Sequence, residues 1–468
     1  MRPLLPSLAL LFVACSDTDP RPPPSDRFVY PSGIVHRSVP GSTNGILYVS
    51  SANFDRCYDY GSVMAVNLDQ VGPDAEGRGL LPLGSYSATM TEPAALEQLN
   101  ITPDARVYIQ SYAGEMALRE GATPRLYVPA RADGDQVHYI DIKEPTRLAC
   151  AGTENSQDCV TQGAVSLTQN LSGQVDDLPR ASAPFGVSVD PSGSVWVTHL
   201  NPADSPERSL ENYATYVVRL PGDTPSVSTS DFFSLDITDL PQGGSNSVVA
   251  DERYVFVSGR QASGVTDPSD PRRFLVRVLD KQTNRILDPG VDLGFSALEA
   301  RGIALTPNVP GTTTPRRLYV AVRSPDSLVT VNVAGLDTDT PSLNTVGSVP
   351  LPTGPTEIAL VSRGGTHGEL VLVSCSTAGV VAIYDPDVGQ VVAQVAVGET
   401  DGTQSSQPFG LAVQRQGNAA RVFVSNFGDG RISVIDIPDL DSPQQARLVA
   451  HIGARQDQES SSCQEVQQ

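Results

Sequence analysis

Three arginines recur at one position of a repeated strand pattern. Tyr127, Phe256 and Tyr319 are each followed by Val, and four residues beyond the aromatic stand Arg131, Arg260 and Arg323. In two other copies His199 and Asn426 stand one residue earlier. Guanidinium groups gathered at one point can hold a carboxylate or phosphate through paired hydrogen bonds. The plain alternative is that each Arg pairs with a local acid, such as Asp133 or Asp326, and ties down a loop. Glu115 and Glu357 fall near the starts of strands that would lie innermost. They would add carboxylates at the same place, or salt-bridge to these arginines.

Other catalytic chemistry is sparse. The five histidines are His36, His138, His199, His367 and His451, and none lies in an HExxH or CxxCH motif. A lone His is more often a hydrogen-bonded structural residue than a general base. No GxSxG nucleophile elbow occurs. Asn426–Gly430 (NFGDG) lacks the alternating oxygen ligands of a calcium loop and reads as a turn. A single Trp argues against tryptophan-docked quinone cofactors and against a multi-site aromatic sugar platform. No cofactor, metal site or catalytic residue is assigned.

The elements that would position these side chains are short strands. The clearest unit is Pro408–Ile437, PFGLAVQRQGNAARVFVSNFGDGRISVIDI. A Pro-x-Gly triplet leads into an apolar run, then a turn, an aromatic–Val–small strand, a polar loop and an alternating strand. Earlier copies are Pro31–Leu68, Ser111–Ile142, Pro184–Leu220, Ser245–Asp280, Arg301–Val333 and Pro355–Asp385. Gln390–Val397 and Arg447–Ile452 would each supply a fourth strand. β-branched and aromatic residues suit a pleated surface, and no long segment carries a helical period. One unit cannot bury its own apolar faces, so the copies must stack on one another. The expected fold is an all-β propeller of seven four-stranded blades. Tyr112–Gly114 and Ser245–Ser247 replace Pro-x-Gly in the second and fourth units, which leaves six blades as the alternative.

The triplets at Pro31–Gly33, Pro184–Gly186 and Pro408–Gly410, the LYV/VFV strands and Ser433–Ile437 (SVIDI) resemble the YVTN-type β-propeller repeat family. The resemblance runs from about Arg27 nearly to the C-terminus. It implies a fold and says little of function, because propellers host many unrelated activities. In such folds the loops joining second to third strands share a face with the connections between blades. The long loops Ala52–Ser62, Asn201–Ala214 and Gln261–Arg272 would gather there, as on a binding face. The bland reading is that surface loops merely tolerate insertion.

The chain has 468 residues and a formal charge of -21, with scattered acids and no basic stripe. Nucleic-acid binding, which depends on neutralising phosphates, is disfavoured. Residues 1–14 have the order of a secretory signal, too short to span a membrane. Phe12-Val13-Ala14-Cys15 resembles a bacterial lipobox, with Cys15 as the lipidated residue; an ordinary signal with an incidental Cys is the alternative. Residues 15–26 would be a Pro-rich tether, 27–455 the propeller and 456–468 a tail. By that resemblance the destination is the bacterial cell envelope, as an outer-membrane lipoprotein facing periplasm or cell surface. In an oxidising compartment Cys150 and Cys159 are the best pair, Cys57 and Cys463 a second that latches the ring, and Cys375 a buried free thiol.

The expected function is a membrane-anchored binding or scaffold module for an envelope protein partner or a small anionic ligand. The alternative is an enzyme at the channel mouth. Some propellers of this broad type are lactone hydrolases, and such chemistry needs a carboxylate–His metal cage or a His/Arg proton-transfer pair.

Overall fold

In six of the repeats the entry triplet, Pro-x-Gly in the first, third and seventh, makes a β-bulge on the innermost strand, and the strands that follow pair outward in chain order. A computed structural model describes residues 21–456 except 133, 168–181, 202–214, 236–242, 262–264, 268, 295, 309–315, 365–366 and 399–404. Seven antiparallel sheets form the blades of one propeller. Blade six is typical, with Pro355–Val361, Leu370–Cys375, Val380–Asp385 and Gln390–Ala396 in order from the channel outward. The second and fourth repeats, whose entries depart from Pro-x-Gly, both form blades, so the six-bladed alternative falls.

The bulge explains the triplet. Pairing of the innermost strand with its neighbour skips two residues after Pro31, Pro184, Ser245, Ala300, Pro355 and Pro408. The freed N–H of the third residue goes to a hydroxyl on the second strand. Gly33 donates to Ser50 at 2.8 Å, Gly186 to Thr198 at 2.9 Å, Ser247 to Ser258 and Glu357 to Ser374 at 3.0 Å, and Gly410 to Ser425 at 2.8 Å. Four of these hydroxyls then donate onward to the middle residue of the next blade's triplet. Thr198 reaches the Asn246 carbonyl, Ser258 that of Arg301, Ser374 that of Phe409 at 2.7 Å and Ser425 that of Ser32 at 2.7 Å. The small polar residue of "aromatic–Val–small" is therefore the stitch between blades, satisfying buried backbone groups that the bulge leaves open.

Glycine closes the triplet because the next blade stands against it. A Cβ on Gly186 would lie 2.3 Å from the Asn246 carbonyl oxygen. Blades two and five lack the hydroxyl, with Pro129 and Ala321 in its place. In blade two the backbone substitutes: Glu115 N–H donates to the Phe185 carbonyl of blade three at 2.9 Å.

The core lies between blades. Tyr48, Tyr127, Trp196, Phe256, Tyr319 and Phe423, the aromatics that precede Val, are fully buried. Each contributes about 1.5–3 kcal/mol from burial. The Asp that ends the third strand pairs with an Arg beside the aromatic: Arg421 Nε lies 2.6 Å from Asp436 and Arg125 Nε 2.6 Å from Asp141. Arg421, fully buried, also donates to Asn44 and to the Leu81 carbonyl of blade one. Blade one carries an insertion between its third strand, Gly61–Asn67, and its fourth, Arg106–Ile109. From it Ala94–Leu96 runs back to pair in parallel with Arg447–Ile452, the outer strand of blade seven. The ring thus closes through a strand added to its last blade.

Cys150 and Cys159 are linked, as their spacing predicts. Cys375 is a buried free thiol, pushed up to about 12 by burial. Cys57 is also disulfide-bonded; Cys463, its predicted partner, lies outside the described residues, as does Cys15.

Candidate functional site

The third residue of the triplet is glycine in most blades, and two exceptions place polar side chains toward the axis. These are Ser247 in blade four and Glu357 in blade six. Opposite them, Glu115 follows Gly114 of blade two. One Glu115 oxygen accepts from the Ser247 hydroxyl, and the other from Val187 N–H of blade three at 3.2 Å. The Glu115 and Glu357 carboxyls hydrogen-bond to each other. A side chain rooted in blade two thus reaches blades three, four and six, and the channel is crossed at this level.

Two carboxyls held together away from bulk water cannot both ionise easily. Burial raises both, Glu357 well above the usual carboxyl range because the Glu115 charge adds to the effect. Hydrogen bonds from Ser247 and Val187 and the field of Arg301 hold Glu115 down relative to its partner. The two carboxyls therefore hold one proton between them more readily than two separate carboxyls would. Phe185 of blade three and Phe409 of blade seven, the middle residues of their triplets, meet edge to face with centroids 5.7 Å apart.

A second cluster stands beside the acid pair. Arg301, the middle residue of the blade-five triplet, lies 2.9 Å through Nε from Glu299, without the alignment of a hydrogen bond. Arg260 donates to the same Glu299 oxygen at 2.9 Å. Arg323 donates to the Pro355 carbonyl at 2.9 Å and to the hydroxyls of Thr356 at 2.8 Å and Ser376 at 3.1 Å. Burial, with Arg323 and Arg260 close by, pushes the Arg301 guanidinium down to about 10, against the pull of Glu299.

The predicted residues therefore divide. Arg260 and Arg323 come together, but around Arg301, which the aromatic–Val alignment misses because it sits on the innermost strand. Aligning the middle residues of the triplets (Ser32, Ala113, Phe185, Asn246, Arg301, Thr356, Phe409) would have exposed Arg301 and both phenylalanines. Arg131 stands apart, its guanidinium 5.6 Å from the Tyr112 ring centre and 5.7 Å from that of Phe185. Among the described residues Arg260 pairs with a local acid, Glu299, and Arg323 does not pair with Asp326; Asp133, the acid expected beside Arg131, lies outside the described residues. His199 is 2% exposed and Asn426 fully buried. The Asn426 amide donates to the Val397 carbonyl and to Ser433, which commits it to the junction of blades six and seven. Most of the Asn201–Ala214 loop and part of Gln261–Arg272 lie outside the described residues.

Of the four arginines Arg131, Arg260, Arg301 and Arg323, Arg260 and Arg301 meet a carboxylate among the described residues, and it is the same one, Glu299. Within this cluster the guanidiniums outnumber the carboxylate they meet, in a protein of formal charge -21. A cleft of about 1030 Å³ opens on the opposite face between blades two and three. Its charges are already matched, with Arg125 and Lys143 on Asp141 and Arg119 on Asp223. Among the described residues no three His, Cys, Asp or Glu converge as metal ligands.

No protein-family model and no curated protein matches the sequence. Among solved structures, the chain is similar to Kuenenia stuttgartiensis hydrazine synthase at 13% identity, covering 87% of this chain and 96% of that one with a TM-score of 0.48. It is similar to the dihydro-heme d1 dehydrogenase NirN at 10% identity, covering 90% and 67% with a TM-score of 0.43. A Lactobacillus plantarum protein matches at 12% identity over 68% and 78%, with a TM-score of 0.43. No residue role passes from these proteins to this chain.

Proposed function

We propose that this propeller is a binding module whose channel mouth takes a small anion, and that a lipid on Cys15 tethers it at the bacterial cell envelope. The observation that supports the ligand is the Arg260–Arg301–Arg323 cluster, in which two guanidiniums share the Glu299 carboxylate and the third stands close by, bonded only to neutral oxygens among the described residues. A desolvated cation in excess of its counter-charges costs folding energy, and an anionic ligand offsets that cost. Calorimetric titration with inorganic phosphate and acetate tests this. Binding that weakens about tenfold in Arg260→Ala supports it, and the absence of any heat with either anion overturns it. Arg260 suits the test because its side chain is 37% exposed and its loss leaves Arg301 to hold Glu299.

One observation favours a second reading, hydrolysis at the channel floor of a substrate such as a lactone. Ser247, Glu115 and Glu357 form a continuous hydrogen-bonded series of a hydroxyl and two carboxyls beside Arg301. An acid held protonated can donate to a leaving oxygen. Lactone opening followed by pH-stat, lost in Glu357→Gln, supports that reading; no proton release above the buffer rate removes it.

A further inference from the structure

The mouth has an aromatic side that the arginine cluster leaves unused. Tyr30, Phe54, Tyr112 and Phe427 form one contiguous group, with neighbouring centroids between 5.1 and 6.1 Å apart. Phe54 is 45% exposed, the one aromatic among the exposed large hydrophobic side chains of the described residues. An open aromatic group at the mouth of a channel marks a surface that gains by being covered.

Arg131 lies on the border of this group, against Tyr112 and Phe185. Among the described residues its guanidinium meets ring faces and no carboxylate. Burial lowers its basicity, the expected effect on a cation without a counter-charge. Ring contacts stabilise the charge modestly but leave unfilled the planar N–H fork that matches a carboxylate. Tyr112 touches both Arg131 and Phe54, so one small molecule can reach from the guanidinium to the exposed ring.

We propose that this side of the mouth binds a carboxylate carried on an aromatic or flat apolar frame, with Arg131 taking the carboxylate and Phe54, Tyr30 and Phe427 covering the frame. The assignment rests on the mouth being an anion site and specifies which anion. A ligand with both features gains from each half, whereas acetate uses only the charge and a neutral aromatic only the rings.

Calorimetric titration of the full chain with 2-naphthoate, acetate, 2-naphthalenemethanol and inorganic phosphate tests it. The expected result is 2-naphthoate binding about tenfold more tightly than acetate or the alcohol. Phe54→Ala should bring naphthoate to within about threefold of acetate, and Arg131→Gln should weaken naphthoate about tenfold while phosphate is unchanged. Thermal melts of both variants check that the blades remain folded, and Phe54, being exposed, carries the test if Arg131→Gln does not fold. Equal affinity for naphthoate and acetate, or naphthoate binding unmoved by Phe54→Ala, overturns the inference while phosphate binding keeps the anion site. If no anion binds, both are overturned.

Discussion

Ser425 of blade seven accepts the Gly410 N–H at 2.8 Å and donates to the Ser32 carbonyl of blade one at 2.7 Å. One hydroxyl thus closes a bulge within its own blade and joins the last blade to the first. Removing it leaves two buried backbone groups unpaired, a loss of about 1–3 kcal/mol. Ser425→Ala should lower the urea midpoint accordingly. Ser425→Thr should lose less, since Thr198 fills the same role in blade three. An unchanged midpoint in the Ala variant would show that the stitch is not a source of stability.

The propeller was legible because its rules are local. Bulge, turn, buried aromatic and terminal Asp each lie within one repeat, so Pro408–Ile437 alone displays them. Arg260 and Arg323 were legible for the same reason, as residues at a fixed distance from an aromatic. The acid pair was only half legible. Glu115 and Glu357 could be placed near the axis, but their contact joins blades two and six and depends on ring closure. The parallel pairing of Ala94–Leu96 with blade seven has no local signal either. The aromatic group around Phe54 draws four residues from three blades, two of them from blade one, and each reads as an ordinary loop residue on its own.

Buried histidines should make the protein acid-labile. His138 donates from Nδ1 to the Cys159 carbonyl at 2.9 Å and accepts the Gln110 N–H on Nε2 at 3.1 Å, which fixes it neutral. Burial lowers it to about 4, and lowers His451 to about 3, from an ordinary 6.5. The unfolded chain therefore binds more protons than the folded one as pH falls below 6.5, and stability drops across that window. By pH 5 the loss from His138 alone is about 2 kcal/mol. Denaturation midpoints should fall between pH 7 and 5, and less steeply in His138→Gln; parallel curves for the two proteins would exclude His138 as the cause.

The acid pair predicts the opposite slope. With its carboxyl raised in the fold, Glu357 contributes stability that is complete below the ordinary carboxyl value near 4.5 and is lost as pH rises through the folded value. Glu357→Gln keeps a donor toward Glu115 and removes the proton that must leave. Relative to that variant, the wild-type melting temperature should decline on the alkaline side. Identical pH profiles would mean that the two carboxyls do not share a proton in solution.

The anchor proposal and the disulfides constrain each other. The chain has six cysteines; Cys150 pairs with Cys159, Cys375 is free and Cys57 is bonded. Only Cys15 and Cys463 remain as partners for Cys57. A lipid thioether on Cys15 consumes its thiol, so lipidation requires Cys57 to pair with Cys463. The mature protein should partition into a detergent phase, Cys15→Ser should move to the aqueous phase, and non-reducing peptide maps of both should contain a Cys57–Cys463 peptide. A Cys57–Cys15 peptide in exported protein would eliminate the lipid anchor, because one sulfur cannot carry both bonds.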